Sequence, residues 1–294
     1  TGTHLEDIGD VLPFHRVLPV RTEGAGLLAA PERVPARPSA ISRLDIDLRG
    51  GINIPAPFEA TITLRGSAIG NLRNLMAVVD KKERQRALQS FTPAGGSDVL
   101  VTASDLAFDD ATGNATITLG GIMTPRWSYT DTRYRYDIAT GGGLYIPDRS
   151  RAIWKDVPVD TGNPMRTQRT TVMRLPDSGA GFALDGTPLL DASLPGGKRV
   201  TSKAVLAGGT LTVETEEAQT GGEIAASDLP AARARAAELK NQRLSARTDP
   251  RYPSPWHGIA AAKRGHLYDR VLERYASYIA DKPEDPARYL ARAK

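Results

Sequence analysis

Short runs in which apolar and polar residues alternate are the feature that most constrains the fold of this chain. Leu44, Ile46 and Leu48 alternate with charged side chains, and residues 58–65 alternate in the same way. A period of two puts alternate side chains on opposite faces of a β-strand, so one face of each strand is expected to be buried. Further candidate strands follow at 99–103, 115–119, 133–138, 144–146, 168–175, 199–207 and 211–217.

Glycine pairs between these runs mark turns, and together the runs and turns predict a mainly β fold, an antiparallel β-sandwich or bent sheet. Residues 67–90 break the period of two, because apolar residues there recur at steps of three and four; this pattern predicts one inserted amphipathic helix. The expected organisation is a proline-interrupted connector over 1–40, an antiparallel β domain over 41–225, and a helical segment over 226–294.

The absence of cysteine restricts the chemistry available to the chain. With no Cys among 294 residues, the protein has no disulfide, no thiolate ligand for a metal and no cysteine nucleophile. The four histidines are not spaced as a helical metal-binding pair, and no serine lies in a G-x-S-x-G motif. No catalytic residue, metal site or cofactor is therefore expected.

The charge distribution indicates little affinity for nucleic acid. Residues 226–294 carry 14 Lys and Arg against 8 Asp and Glu, a net charge of +6, while the other 225 residues carry 24 against 26, a net charge of −2. The basic residues of this tail are spaced as on solvated helix faces rather than gathered with stacking aromatics, so nucleic acid is not an expected partner. No apolar run approaches the length needed to span a membrane, so a membrane-spanning helix is not expected.

Many of the scarce aromatic residues are concentrated within fewer than 30 residues, close to Arg126, Arg133, Arg135 and Arg151. One interpretation is a binding face on which planar rings and guanidinium groups serve as anchors. The other is cross-strand pairing of aromatic rings within the sheet. The residues in question are Trp127, Tyr129, Tyr134, Tyr136, Tyr145 and Trp154.

The end of the chain resembles tetratricopeptide repeats. Helices are predicted at about 266–280 and from 286 onward, and the residues that carry the resemblance are Val271, Tyr275 and Tyr278 on one helix face, Pro283 after that helix and Tyr289 in the next. The resemblance covers about one repeat. Because such repeats bury their faces by stacking on one another, it implies further repeats and a protein partner bound through them. An ordinary helical hairpin packed on the β domain is the alternative.

A second resemblance involves residues 1–250, which resemble the β-rich region after the catalytic core of bacterial multidomain transglutaminase-like proteins. It implies a papain-like catalytic core upstream, and export to the periplasm. The chain begins at Thr1 and ends within a helical pattern, so it is expected to be a fragment of such a protein. The segments that carry the resemblance are 1–8, 91–93, 145–148, 175–182 and 209–214.

Two functions follow as expectations. The first is a non-catalytic accessory and protein-interaction region of a transglutaminase-like protein, in which Leu12, Phe14, Val17 and Leu18 contact the upstream core. The alternative is a carbohydrate-binding or cell-surface adhesion module that uses the aromatic face.

Overall fold

The computed structural model describes residues 16–20, 24, 26–29, 33–92, 98–138, 147 and 151–293. Helices within these ranges are α1 (Ser67–Val78), α2 (Lys81–Gln89), α3 (Leu229–Asn241), α4 (Pro255–Arg264), α5 (Asp269–Asp281) and α6 (Pro286–Ala293). Strands within them are β1 (Arg16–Val17), β2 (Leu28–Ala29), β3 (Ala40–Asp47), β4 (Ala56–Arg65), β5 (Asp98–Asp109), β6 (Asn114–Thr124), β7 (Ser128–Thr130), β8 (Arg133–Ile138), β9 (Val159–Asp160), β10 (Met165–Arg174), β11 (Phe182–Asp185), β12 (Leu189–Leu194), β13 (Lys198–Ala207), β14 (Thr210–Gln219), β15 (Glu223–Ile224) and β16 (Leu244–Thr248). The prediction of a mainly β protein is confirmed.

The larger sheet has the strand order β12-β13-β14-β10-β3-β4-β6-β5 within the described residues. All its neighbouring strands run antiparallel except β3 and β10, which pair in parallel from Ala40 opposite Thr167 to Asp47 opposite Arg174. The sequence predicted antiparallel pairing throughout. Parallel neighbours require a long crossover connection, and here that connection runs from residue 48 to residue 164 and contains strands of both sheets.

A smaller sheet has the order β11-β16-β8-β7, and its strands are antiparallel. Phe182 and Leu244 of this sheet, together with Trp127 just before β7, belong to the same hydrophobic core as Ile46 and Phe58 of the larger sheet. The period-two alternation explains this arrangement, because every second residue of a strand contributes to one face. One face of each sheet therefore faces a shared core.

The insertion after β4 consists of two helices instead of the single helix predicted over 67–90. The chain becomes extended at Val79, and the carboxylate of Asp80 then accepts a hydrogen bond from the backbone N–H of Glu83 at 2.8 Å. Such a side-chain N-cap starts a new helix, which the uninterrupted apolar spacing did not indicate. Leu72 of α1 and Leu88 of α2 both pack into the shared core.

The C-terminal segment 226–294 is not entirely helical. β16 lies within it and is an inner strand of the smaller sheet, paired with β8 and β11. α4 begins with Pro255 at its first position, where proline is well tolerated. α5 and α6 occupy the positions predicted for the last two helices.

Candidate functional site

Trp127 is the centre of the aromatic cluster, and it is part of the core. Its side chain is only 4% exposed. The ring lies 5.4 Å from that of Tyr136 and 5.6 Å from that of Phe182, measured between ring centroids. Offset and edge-to-face pairs at these distances stabilise a core, and they occupy ring surface that a bound sugar would otherwise contact.

Asn53 fixes the backbone of Trp127. Its side-chain oxygen accepts a hydrogen bond from the Trp127 N–H at 2.6 Å, and its side-chain N–H donates to the Trp127 carbonyl at 2.8 Å. Asn53 itself has a φ of 54°, a left-handed conformation that asparagine tolerates better than most residues. The loop before β4 therefore determines where the indole ring lies.

The tyrosines extend this cluster towards the surface. Tyr134 lies 5.0 Å from Tyr129 and 6.3 Å from Tyr252, and Tyr252 lies 5.0 Å from Phe182, between ring centroids. Burial raises the pKa of Tyr136, and burial with the nearby charge of Asp177 raises the pKa of Tyr252 to about 12. Both hydroxyls are therefore neutral at physiological pH.

The remaining aromatic candidates are on other segments. Tyr129 is 63% exposed at the edge strand β7, and Trp154 is exposed on a short 3-10 helix, Ala152–Trp154. Tyr145 lies outside the described residues. The structure thus brings Trp127, Tyr129, Tyr134 and Tyr136 together, mainly by cross-strand and core packing.

An arginine-lined cleft of about 490 Å³ lies on the outer face of the smaller sheet. From the sequence, Arg133 and Arg135 were grouped with the aromatic rings. The strand period separates the two sets, because Tyr134 and Tyr136 alternate with these arginines along β8. The cleft is lined by Ser128, Thr130, Asp131, Thr132, Arg133, Arg135, Asp137, Asp185, Arg243, Arg247 and Pro250.

Two arginines face each other across neighbouring strands in this cleft. Arg247 of β16 is directly opposite Arg135 of β8. Arg135 forms an ion pair with Asp137, with 3.0 Å between its Nε and a carboxylate oxygen. Among the described residues, no carboxylate lies within ion-pair distance of Arg133, Arg243 or Arg247. The cleft therefore contains guanidinium groups available to a ligand.

The hairpin turn between β7 and β8 forms part of the cleft rim. Asp131 and Thr132 both have positive φ, 52° and 64°. Two positive φ values are typical of the tight turns that suit the twist of a hairpin, but threonine is unfavourable in this conformation. Strain of this kind persists only where the surrounding structure enforces it.

Two of the residues proposed to contact an upstream core, Val17 and Leu18, lie in or beside a short hairpin formed by β1 and β2. Within its described part, Val17 is half-buried and Leu18 is 62% exposed. Val20, Leu27 and Leu28 are also exposed. Leu12 and Phe14 lie outside the described residues. We refer to residues 16–20 and 26–29 as the apolar arm.

The helix face that resembles a tetratricopeptide repeat packs on the larger sheet. Val271 and Tyr275 of α5 contact Ile122 of β6 and Leu100 of β5. This is the packing expected of a helical hairpin on a β domain. Tyr278 lies beneath the guanidinium of Arg288, 4.2 Å from its ring centroid, while Pro283 and Tyr289 are exposed.

Ion pairs join α5 to Glu59 of β4 in the larger sheet. Arg270 is 2.8 Å from Glu59, and Arg274 is 3.6 Å from it. A Cβ atom on Gly120 would come within 3.2 Å of the Arg274 guanidinium, so glycine leaves room for that side chain. Close by, burial opposes ionisation of Asp47, but hydrogen bonds from Arg49 outweigh it and lower the pKa of Asp47.

No protein-family model matches the chain, and no curated protein is significantly similar to it. Within the described ranges, no helix combines the length and apolarity needed to cross a membrane. In the same ranges, no three histidine or acidic side chains come together as a set of metal ligands.

Proposed function

We propose that the chain is a non-catalytic accessory and protein-interaction region of a transglutaminase-like protein, acting in the periplasm or another exported location. The resemblance of residues 1–250 is one support for it. The observation that carries the proposal is the apolar arm, which exposes Leu18, Val20, Leu27 and Leu28. In this proposal, the two sheets serve as the sandwich scaffold expected from the sequence.

The apolar arm needs a partner for physical reasons. An isolated two-stranded hairpin is at best marginally stable in water. Fully burying one leucine side chain contributes about 1.5–3 kcal/mol, so covering Leu18, Leu27 and Leu28 provides several kcal/mol towards association. A catalytic core that contains the missing cysteine is the partner that the resemblance implies.

The aromatic-face alternative, a carbohydrate-binding or adhesion module, has less support. It needs the Trp127 ring to be open to a ligand, but the ring contacts Tyr136 and Phe182 and its side chain is almost wholly buried. We therefore assign the interaction to the apolar arm.

The test is isothermal titration of the purified protein with a purified transglutaminase-like core from the same organism. Replacing Leu18 and Leu28 with Asp is expected to weaken binding at least about tenfold, because charged side chains would replace apolar anchors. Val78→Asp is the matched control, since Val78 is also an exposed apolar residue but lies on α1. Absence of binding by the wild-type protein, or an equal loss in the control, would contradict the proposal.

A further inference from the structure

We propose that the arginine-lined cleft on the smaller sheet is a binding site for a carboxylated sugar, a uronic acid residue. This site is distinct from the apolar arm and does not depend on the function proposed above.

The register of β8 and β16 places two arginines opposite each other. Like charges directly opposite each other on adjacent strands destabilise a sheet, yet Arg135 and Arg247 are direct cross-strand partners. Asp137 compensates Arg135, whereas Arg247 has no carboxylate within ion-pair distance in the described part of the chain. A ligand carboxylate bound here would relieve this repulsion, and its two oxygens match the planar fork of a guanidinium.

The acidic residues of the cleft restrict the ligand to a low negative charge. Asp131, Asp137 and Asp185 line the cleft together with four arginines, so the lining carries a net charge of only +1 (four positive against three negative groups). A polyanion such as a nucleic acid needs several phosphates neutralised, which a net charge of +1 does not provide. A ligand with one carboxylate can pair with an arginine, and its single negative charge limits repulsion from the three aspartates.

The same carboxylates and the hydroxyls nearby point to a ligand rich in hydroxyl groups. Ionised aspartates only accept hydrogen bonds, whereas Ser128, Thr130 and Thr132 can both donate and accept. Sugar hydroxyls can donate hydrogen bonds to the aspartates and can both donate to and accept from the serine and threonine hydroxyls.

The size of the cleft suits a small ligand. About 490 Å³ lies within the range of roughly 300–1,000 Å³ typical of small-molecule sites. The strained turn at Asp131 and Thr132 lies at its rim, and backbone strain of this kind is concentrated at ligand-binding sites.

The first experiment compares three probes on the wild-type protein by isothermal titration and by chemical shift changes in NMR spectra. D-Galacturonate carries the carboxylate and hydroxyls, D-galactose lacks only the carboxylate, and acetate lacks the sugar hydroxyls. We expect galacturonate to bind at least about tenfold more tightly than either control, as is usual when a charged hydrogen bond is lost. Equal binding of galactose or of acetate, or no binding of galacturonate at millimolar concentrations, would overturn the proposal.

The second experiment locates the site. Arg247→Gln and Arg133→Gln are each expected to weaken galacturonate binding about tenfold. Arg86→Gln, a change at an exposed arginine of α2, should leave binding unchanged. Binding that survives both cleft substitutions would overturn the assignment. The selectivity of the wild-type protein needs no variant, so that measurement decides the proposal even where a variant does not fold.

Discussion

The two faces of the smaller sheet differ sharply although the same strands form both. The inner face carries Tyr134, Tyr136 and Phe182 and adjoins the shared core with Trp127. The outer face carries Arg133, Arg135 and Arg247 around an open cleft. Along β8 the two sets occupy alternate positions. Neighbouring residues of one strand can therefore have different roles: one set stabilises the core, and the other lines the cleft.

The largest expected difference between the faces is in stability. Trp127→Ala removes a nearly fully buried ring from the inner face and should lower the free energy of unfolding by about 3–5 kcal/mol. Urea denaturation followed by circular dichroism measures this loss. Tyr129→Ala, at an exposed ring of the same cluster, should cost about 1 kcal/mol or less. Equal losses in the two variants would mean that Trp127 is not a core residue.

Part of the loss of stability at alkaline pH should come from Tyr252, which packs against Tyr134 and Phe182 of the inner face. The pKa of Tyr252 is raised to about 12 in the folded protein, above its ordinary value of 10.0. Its contribution to stability is therefore complete below pH 10 and is lost as the pH rises from 10 towards 12, because the unfolded state ionises first.

Urea denaturation at pH 9 and pH 11 measures this effect of Tyr252. Tyr252→Phe has no hydroxyl to ionise, so the alkaline loss of stability should be smaller in this variant. An identical loss in wild type and variant would show that Tyr252 does not titrate as described.

The smallest effect is expected on the outer face. Arg247→Glu puts a carboxylate opposite Arg135 and should raise the free energy of unfolding by about 0.5 kcal/mol. The adjacent Ala246→Glu places an unpaired charge in the core, where Ala246 is fully buried, and should cost more than about 3 kcal/mol. Thermal and urea denaturation compare them. A destabilising Arg247→Glu would mean that Arg247 has a structural role.

Much of the fold could be predicted from local patterns, since the alternation in 44–48 and 58–65 gave the right strands. The predictions that were wrong depended on contacts distant in sequence or on single side chains. The break at Asp80 depends on one capping side chain within continuous apolar spacing. β16 is only five residues long and follows a helix, so the helical composition around it outweighed its own pattern. The residues of β3 and β10 do not themselves indicate that the two strands pair in parallel.

The candidate sites were less predictable. The alternation of Arg133 and Arg135 with tyrosines was visible, and applying the period of two would have separated an arginine face from an aromatic one. The contribution of Arg243 and Arg247 to the cleft could not be predicted, because residues 226–294 were predicted to be a helical segment. Asp185 reaches the cleft only through the pairing of β11 with β16.

The interleaving of the two sheets along the chain has a consequence for how the protein folds. β7 and β8 lie within the crossover between β3 and β10, and β11 and β16 come later still. Neither sheet can be excised as a continuous piece of chain. Many native contacts join residues far apart in sequence, so a high contact order predicts slow folding.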